Sequence, residues 1–217
     1  MNNPDIISRT TDFVKQQLKN AEGGHDWFHV QRVYNNAVAI AKNEKADMLV
    51  VKLGALLHDI ADSKFHNGDE SVGPQKARTF LEKENVTGAT IDHVVKIIEN
   101  ISFKGSYTEK SFRSRELDIV QDADRLDAIG ATGIARAFNY GGFKNRELYN
   151  PDIPPRKYRT KEEYKNNKAP TINHFYEKLL LLKDKMNTQT GRKIAEDRHR
   201  YMENFLEQFY GEWEGTR

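Results

Sequence analysis

Residues 47 to 61 constrain this fold more than any other stretch. The run MLVVKLGALLHDIA, from Met48 to Ala61, is apolar almost all round, and a helix without a polar face has to be enclosed by other elements rather than laid on a surface. The remaining periodic segments repeat at helical rather than alternating intervals, so the expectation is an all-α fold, a helical bundle closed around this segment.

Along the chain, a first helix is expected from Pro4 to Lys19, ending near Gly23–Gly24, where paired glycines favour a turn. Asp26 has the character of an N-cap for a second helix, whose Val30, Val33, Ala37 and Ile40 share one face. After 47–61 comes the loop DSKFHNGDE, then helices at Pro74 to Lys83 and Thr90 to Asn100, the latter with Ile91, Val94, Val95, Ile98 and Ile101 on one side. A further helix is expected from Glu116 to Ile129, running on through Gly130 and Gly133 toward Phe138. From Asn139 to Pro170 the periodicity breaks, with adjacent glycines, four prolines and a surplus of Lys and Arg; a stretch this long inside a compact domain reads as an insertion or lid. Helices resume with HFYEKLLLLKDKM and a long amphipathic segment from Thr190 to Phe209.

With 217 residues the expected organisation is one domain over 1–217, with two small units as the open alternative. Charged residues make up 30% and hydrophobic ones 37%, which suits amphipathic helices with charged outer faces. Lys and Arg total 34 against 32 Asp and Glu, so bulk charge calls for neither nucleic acid nor membrane. The absence of cysteine removes disulfides, thiolate metal sites and a Cys nucleophile, and leaves His and carboxylate as the metal ligands available. The N-terminus lacks a basic region followed by an apolar one, and no apolar run approaches the length of a membrane span. A soluble, cytoplasmic protein is expected.

Four polar residues lie on or at the ends of apolar helical segments: His29, His58, Asp59 and Asp124. Two imidazoles and two carboxylates form a donor set able to hold a divalent ion while leaving positions for water and substrate. His58 and Asp59 differ by about 100° around a helix, so both can ligate only at its end or across a gap between helices. The residues also fit plainer roles. Either histidine can be a hydrogen-bonded core residue, Asp59 can cap or pair with Arg125, and Asp124 can pair with Arg32.

The succession HDWFHVQRV, LLHDIAD and DADRLDAIG resembles the HD-domain superfamily of metal-dependent phosphohydrolases, marked by a His, a His-Asp pair and a distal Asp on different helices. ISFKG, GATGIARAF and HFYEKLL extend the likeness to a bacterial subgroup of stand-alone HD hydrolases, and the resemblance spans a core at about 20–210. The resemblance implies His29, His58, Asp59 and Asp124 as ligands of one divalent ion, with Mn²⁺, Mg²⁺, Fe²⁺ and Co²⁺ all suitable. Only His66 and His93 lie between the His-Asp pair and Asp124, without the extra histidines of bridged two-metal members, so one ion is expected.

The resemblance also assigns a proton-handling role to Asp62, with Glu99 as a weaker alternative, and a plain helix-ending carboxylate is the competing reading of Asp62. A phosphoryl substrate calls for positive charge beyond the ion; Arg32, Lys64, Lys104, Arg125, His174 and Lys178 are the candidates, each of which can instead be a surface charge. His25 and His199 read as structural, the latter on an exposed face. Tyr140, Phe143 and Tyr149 can stack on a base or anchor the loop. The expected activity is hydrolysis of a phosphorylated small molecule, first a nucleoside or deoxynucleoside triphosphate to monophosphate and pyrophosphate. Alternatives are a nucleoside monophosphate phosphatase and a catalytically silent nucleotide sensor. No membrane partner is expected, nucleic acid ranks far behind a small phosphate ester, and assembly of identical copies stays open.

Overall fold

A computed structural model describes residues 3–19, 26–61, 69–101, 112–157, 163 and 168–217. The described residues are helical, with no strand among them, as the spacing predicts. None of these helices is long and apolar enough to cross a membrane. The chain divides into two compact units, Met1–Asp124 and Arg125–Arg217.

The first unit holds α1 (Asn3–Gln17), α2 (Trp27–Ala41), α3 (Met48–Leu57), α4 (Val72–Lys83), α5 (Gly88–Asn100) and most of α6 (Arg115–Asp127). The apolar run becomes α3, whose Val50, Val51, Leu53, Ala55, Leu56 and Leu57 are each no more than 2% exposed. It packs against α1, α2 and α5, while α4 packs on α5. Burying each such Val or Leu side chain stabilises by about 1.5–3 kcal/mol. Asp47 starts α3, its carboxylate accepting from Leu49 N at 2.8 Å, and its own N–H donates to Glu116 Oε1 at 2.8 Å. Asp26 caps α2 as expected, accepting from His29 N at 2.9 Å.

The second unit holds the end of α6 together with α7 (Gly130–Phe143), α8 (Asn173–Glu177) and α9 (Gln189–Trp213), with α7 packed on α9. Phe138, Phe175, Phe205 and Phe209 form an aromatic cluster in which Phe175 is fully buried and the others are partly exposed. Tyr149 meets Tyr210 and Trp213 edge-on, each at 5.2 Å, so it anchors the segment after α7.

The structure corrects four sequence expectations. The helix over 116–138 is interrupted after Asp127, and α7 starts at Gly130, whose φ of +72° is costly for any other residue. Irregular chain begins at Lys144 rather than Asn139, because Gly141 and Gly142 lie inside α7 and the left-handed residue that ends it is Asn145, φ +51°. HFYEKLLLLKDKM is not one helix: α8 stops at Glu177 and 3₁₀ turns follow at Leu179–Leu181 and Lys183–Lys185. Three residues per turn put Leu179 and Leu182 together in the core, 3% and 7% exposed, and leave Leu181 outside. The last helix extends to Trp213, beyond the expected Phe209.

Candidate metal centre

His29 occupies the first turn of α2, where the Asp26 cap fixes its backbone. His58 is the C-cap of α3 and Asp59 lies in the turn beyond it. The helix therefore ends where the adjacent pair can turn toward one point. His29 Nε2 lies 3.3 Å from His58 Nε2, 3.5 Å from Asp124 Oδ1 and 4.0 Å from Asp59 Oδ2. His29, His58 and Asp59 each offer a ligand atom within 4.8 Å of the others. Asp124 joins them through His29 and is the most open of the four, with 42% of its side chain exposed against 18% for Asp59.

These spacings suit a common cation. Donor atoms about 2.1 Å from one ion stand about 3.0 Å apart when adjacent and about 4.2 Å when opposite. The His58 tautomer agrees: Nδ1 lies 2.8 Å from the Ala55 carbonyl oxygen, which can only accept, so Nδ1 carries the proton and the Nε2 lone pair faces the cluster. A ligating histidine commonly gives its other N–H to such a carbonyl. The two nearby carboxylates add a field that favours a positive ion over an unfilled gap.

The remaining candidates are more dispersed. Arg32 is partly buried on α2, one turn after His29. Arg125 follows Asp124 on α6 and Nη1 donates to Lys185 O at 2.6 Å. His174 is on α8 and Lys178 just beyond its end, the two joined by a Lys178 N to His174 O bond of 3.0 Å. Burial, with Lys178 and Arg146 as positive neighbours, lowers the His174 pKa from 6.5 to about 4. Glu99 is exposed on α5. Asp62, Lys64, Lys104, His25 and His66 lie outside the described residues. Tyr140 and Phe143 are 49% and 71% exposed.

His199 departs from its expected exposed position. Its side chain is 13% exposed, Nε2 faces Glu203 at 3.3 Å, and Nδ1 is buried with no hydrogen-bond partner among the described residues. His93 Nε2 lies 2.9 Å from Ser114 Oγ and 3.4 Å from Glu116 Oε2. Ser114 Oγ also accepts from Leu117 N, so that histidine ties down the start of α6.

Two supporting residues escaped the sequence reading. Asn36 Nδ2 donates to Ala123 O at 3.3 Å, tethering α2 to the residue before Asp124. The signal was present, because Asn36 follows His29 by two helical turns on the same face. Gln121 Nε2 donates to Asn100 O at 2.9 Å and holds α6 against the end of α5; nothing local distinguishes it from a surface glutamine.

Known proteins carry the same arrangement of chain. The HD domain family matches residues 27–129. YpgQ of Bacillus subtilis is 39% identical over 201 residues, covering 90% of this chain and 88% of YpgQ. An HD-superfamily hydrolase of Bacillus thuringiensis superposes with a TM-score of 0.79 at 43% identity, covering 98% of this chain and 99% of that one. The crystal structure of YpgQ in complex with ADP superposes with a TM-score of 0.75 at 34% identity, covering 98% and 97%.

Proposed function

This chain belongs to the HD-domain family of metal-dependent phosphohydrolases, and on that premise we propose that it is a nucleotide pyrophosphohydrolase. It takes a nucleoside or deoxynucleoside triphosphate and water to the monophosphate and pyrophosphate. The observation that carries the reading is the convergence of His58, Asp59 and Asp124 on His29 Nε2. YpgQ, crystallised with ADP, supports a nucleotide as the phosphorylated substrate. Relatives that match over nearly the full length support treating residues 1–217 as one hydrolase domain.

His29, His58, Asp59 and Asp124 would hold one divalent ion, drawn from Mn²⁺, Mg²⁺, Fe²⁺ and Co²⁺. When bound, such an ion polarises a phosphoryl oxygen and lowers the pKa of water. The chain's residues do the rest. His58 keeps its lone pair on the site because Ala55 O holds the Nδ1 proton. Asp62 takes a proton from the attacking water as it closes on the α-phosphorus. Arg32, Lys64, Lys104, Arg125, His174 and Lys178 contact the phosphates, whose charge spreads over several oxygens as the α–β bridge breaks. Pyrophosphate leaves with that bridging oxygen and the monophosphate keeps the oxygen from water.

The test is product analysis after incubation with mixed nucleoside and deoxynucleoside triphosphates and Mn²⁺, with Asp59→Ala as the blank. Pyrophosphate with matching monophosphate, absent from the blank, is the expected result. Orthophosphate released from monophosphates, with triphosphates untouched, would replace this reading with a phosphatase. Bound but unconsumed nucleotide would make the protein a sensor.

A further inference from the structure

Gly54 lies inside α3 and is buried. Glycine within a helix weakens it relative to alanine, and a buried alanine would add apolar contact as well, so the position calls for a packing reason. The surroundings supply one. A Cβ at position 54 would lie 3.3 Å from Ile97 Cδ1, 3.4 Å from Ile97 Cγ2 and 3.5 Å from Val120 Cγ2. Carbon atoms pack best at about 3.5–4.0 Å, and Ile97 and Val120 are both fully buried. An added methyl would therefore push α3 away from α5 by a few tenths of an ångström.

This contact lies one turn from the candidate ligands. His58 follows Gly54 by four residues on α3, and Asp124 follows Val120 by four on α6, so each ligand shares a helix face with one member of the contact. The helices α5 and α6 are tied to each other: Gln121 Nε2 donates to Asn100 O at 2.9 Å, and His93 Nε2 lies 2.9 Å from Ser114 Oγ just before α6. A displacement of α3 from Ile97 is then also a displacement of His58 from Asp124. The centre has little room for it. His29 Nε2 is already 3.3 Å from His58 Nε2 and 3.5 Å from Asp124 Oδ1, and a functional constellation tolerates departures of only about 0.5 Å.

We infer that Gly54 is a positioning residue for the metal centre: without a side chain it lets α3 close on Ile97 and Val120, and so sets the span between His58 and Asp124. The inference rests on the reading of those two residues as ligands of one ion, and adds the residue that spaces them. The glycine costs α3 some helix stability and keeps the ligands close enough to share a cation.

The experiment is calorimetric titration of the full chain with Mn²⁺, paired with thermal melting in EDTA, for wild type, Gly54→Ala, Ile97→Val and the double variant. Gly54→Ala should fold and melt close to wild type, because the helix propensity of alanine offsets the crowding. It should nevertheless bind Mn²⁺ roughly ten-fold more weakly, the lower end for groups that support metal ligands. Ile97→Val alone should keep wild-type affinity. In the double variant the closest opposing atom is gone, and part of the lost affinity should return. Unchanged affinity in Gly54→Ala overturns the inference, as does a loss that follows a lowered Tm or that Ile97→Val fails to relieve; none of these touches the hydrolase reading while wild type binds Mn²⁺ and turns over nucleotide. Wild type that takes up no Mn²⁺ overturns the inference and the metal centre together. The expected pattern in a protein that turns over no nucleotide upholds the role of Gly54 and removes the hydrolase reading alone.

Discussion

His58 Nε2 faces His29 Nε2 at 3.3 Å across the gap between α3 and α2, and the Ala55 carbonyl holds the other nitrogen of His58 as a donor. Two ring nitrogens aimed at each other beside two carboxylates are best compensated by a shared cation. Mn²⁺ at about 100 times its dissociation constant should therefore add about 2.7 kcal/mol to the folding free energy. Thermal melting with and without Mn²⁺ reads this as a rise in Tm that EDTA reverses. Asp59→Ala should lose the rise, and an equal rise in that variant would remove Asp59 from the ligand set.

Asp62→Asn separates chemistry from ion retention. Turnover of triphosphate should fall by roughly 10²-fold or more, the usual contribution of a general acid or base, while the Mn²⁺-dependent rise in Tm stays that of wild type. Parallel loss of both would make Asp62 a structural partner of the ligands.

Asn36 is expected to act through Asp124. Its amide holds the Ala123 carbonyl, so Asn36→Leu frees the backbone next to a ligand without touching any ligand. Mn²⁺ affinity should drop by about 10-fold, the lower end for residues that support metal ligands, with a stability loss of about 1 kcal/mol. A metal titration of the variant checks the first figure and urea unfolding the second.

How far the sequence revealed all this varies along the chain. The α3 segment was legible because its apolar residues leave no face for water; the candidate ligands His58 and Asp59 drew notice because they interrupt that apolar run, and the set of four with His29 and Asp124 is what the family resemblance implies. The break after Asp127 was not, since the left-handed Gly130 sits inside a stretch whose apolar spacing continues across it. Nor were the 3₁₀ turns at 179–185: four consecutive leucines carry no period, and only packing decides which are buried.

His174 gives a pH signature with a definite sign. Its pKa is about 4 in the folded chain against 6.5 for the free side chain, so between these values the unfolded chain binds more protons. Its contribution is complete above pH 6.5 and declines as pH falls toward 4. His174→Gln removes the group, and the stability difference between wild type and variant should shift against wild type over that interval and level off outside it. Urea midpoints measured from pH 4 to 7.5 provide the check, and a flat difference would mean that the ring titrates normally.

Asp127, 1% exposed at the end of α6, is paired with Arg136 of α7. Arg136 also donates to the Asp127 carbonyl at 3.3 Å, and Arg198 of α9 donates to Leu126 O at 2.5 Å. These bonds hold the last turn of α6 just before Gly130. Removing one partner of a buried pair commonly costs about 3–5 kcal/mol; Arg198 also interacts electrostatically with Asp127 and the Arg136 side chain is 31% exposed, so Arg136→Met should cost less, about 2–3 kcal/mol. Asp127→Asn combined with Arg136→Met removes the charge as well as its partner and should recover part of that loss. Urea unfolding of the single and double variants measures the coupling. If the double variant is as unstable as the sum of the singles, the contribution of Arg136 lies in packing over α6, and the ion pair itself adds little.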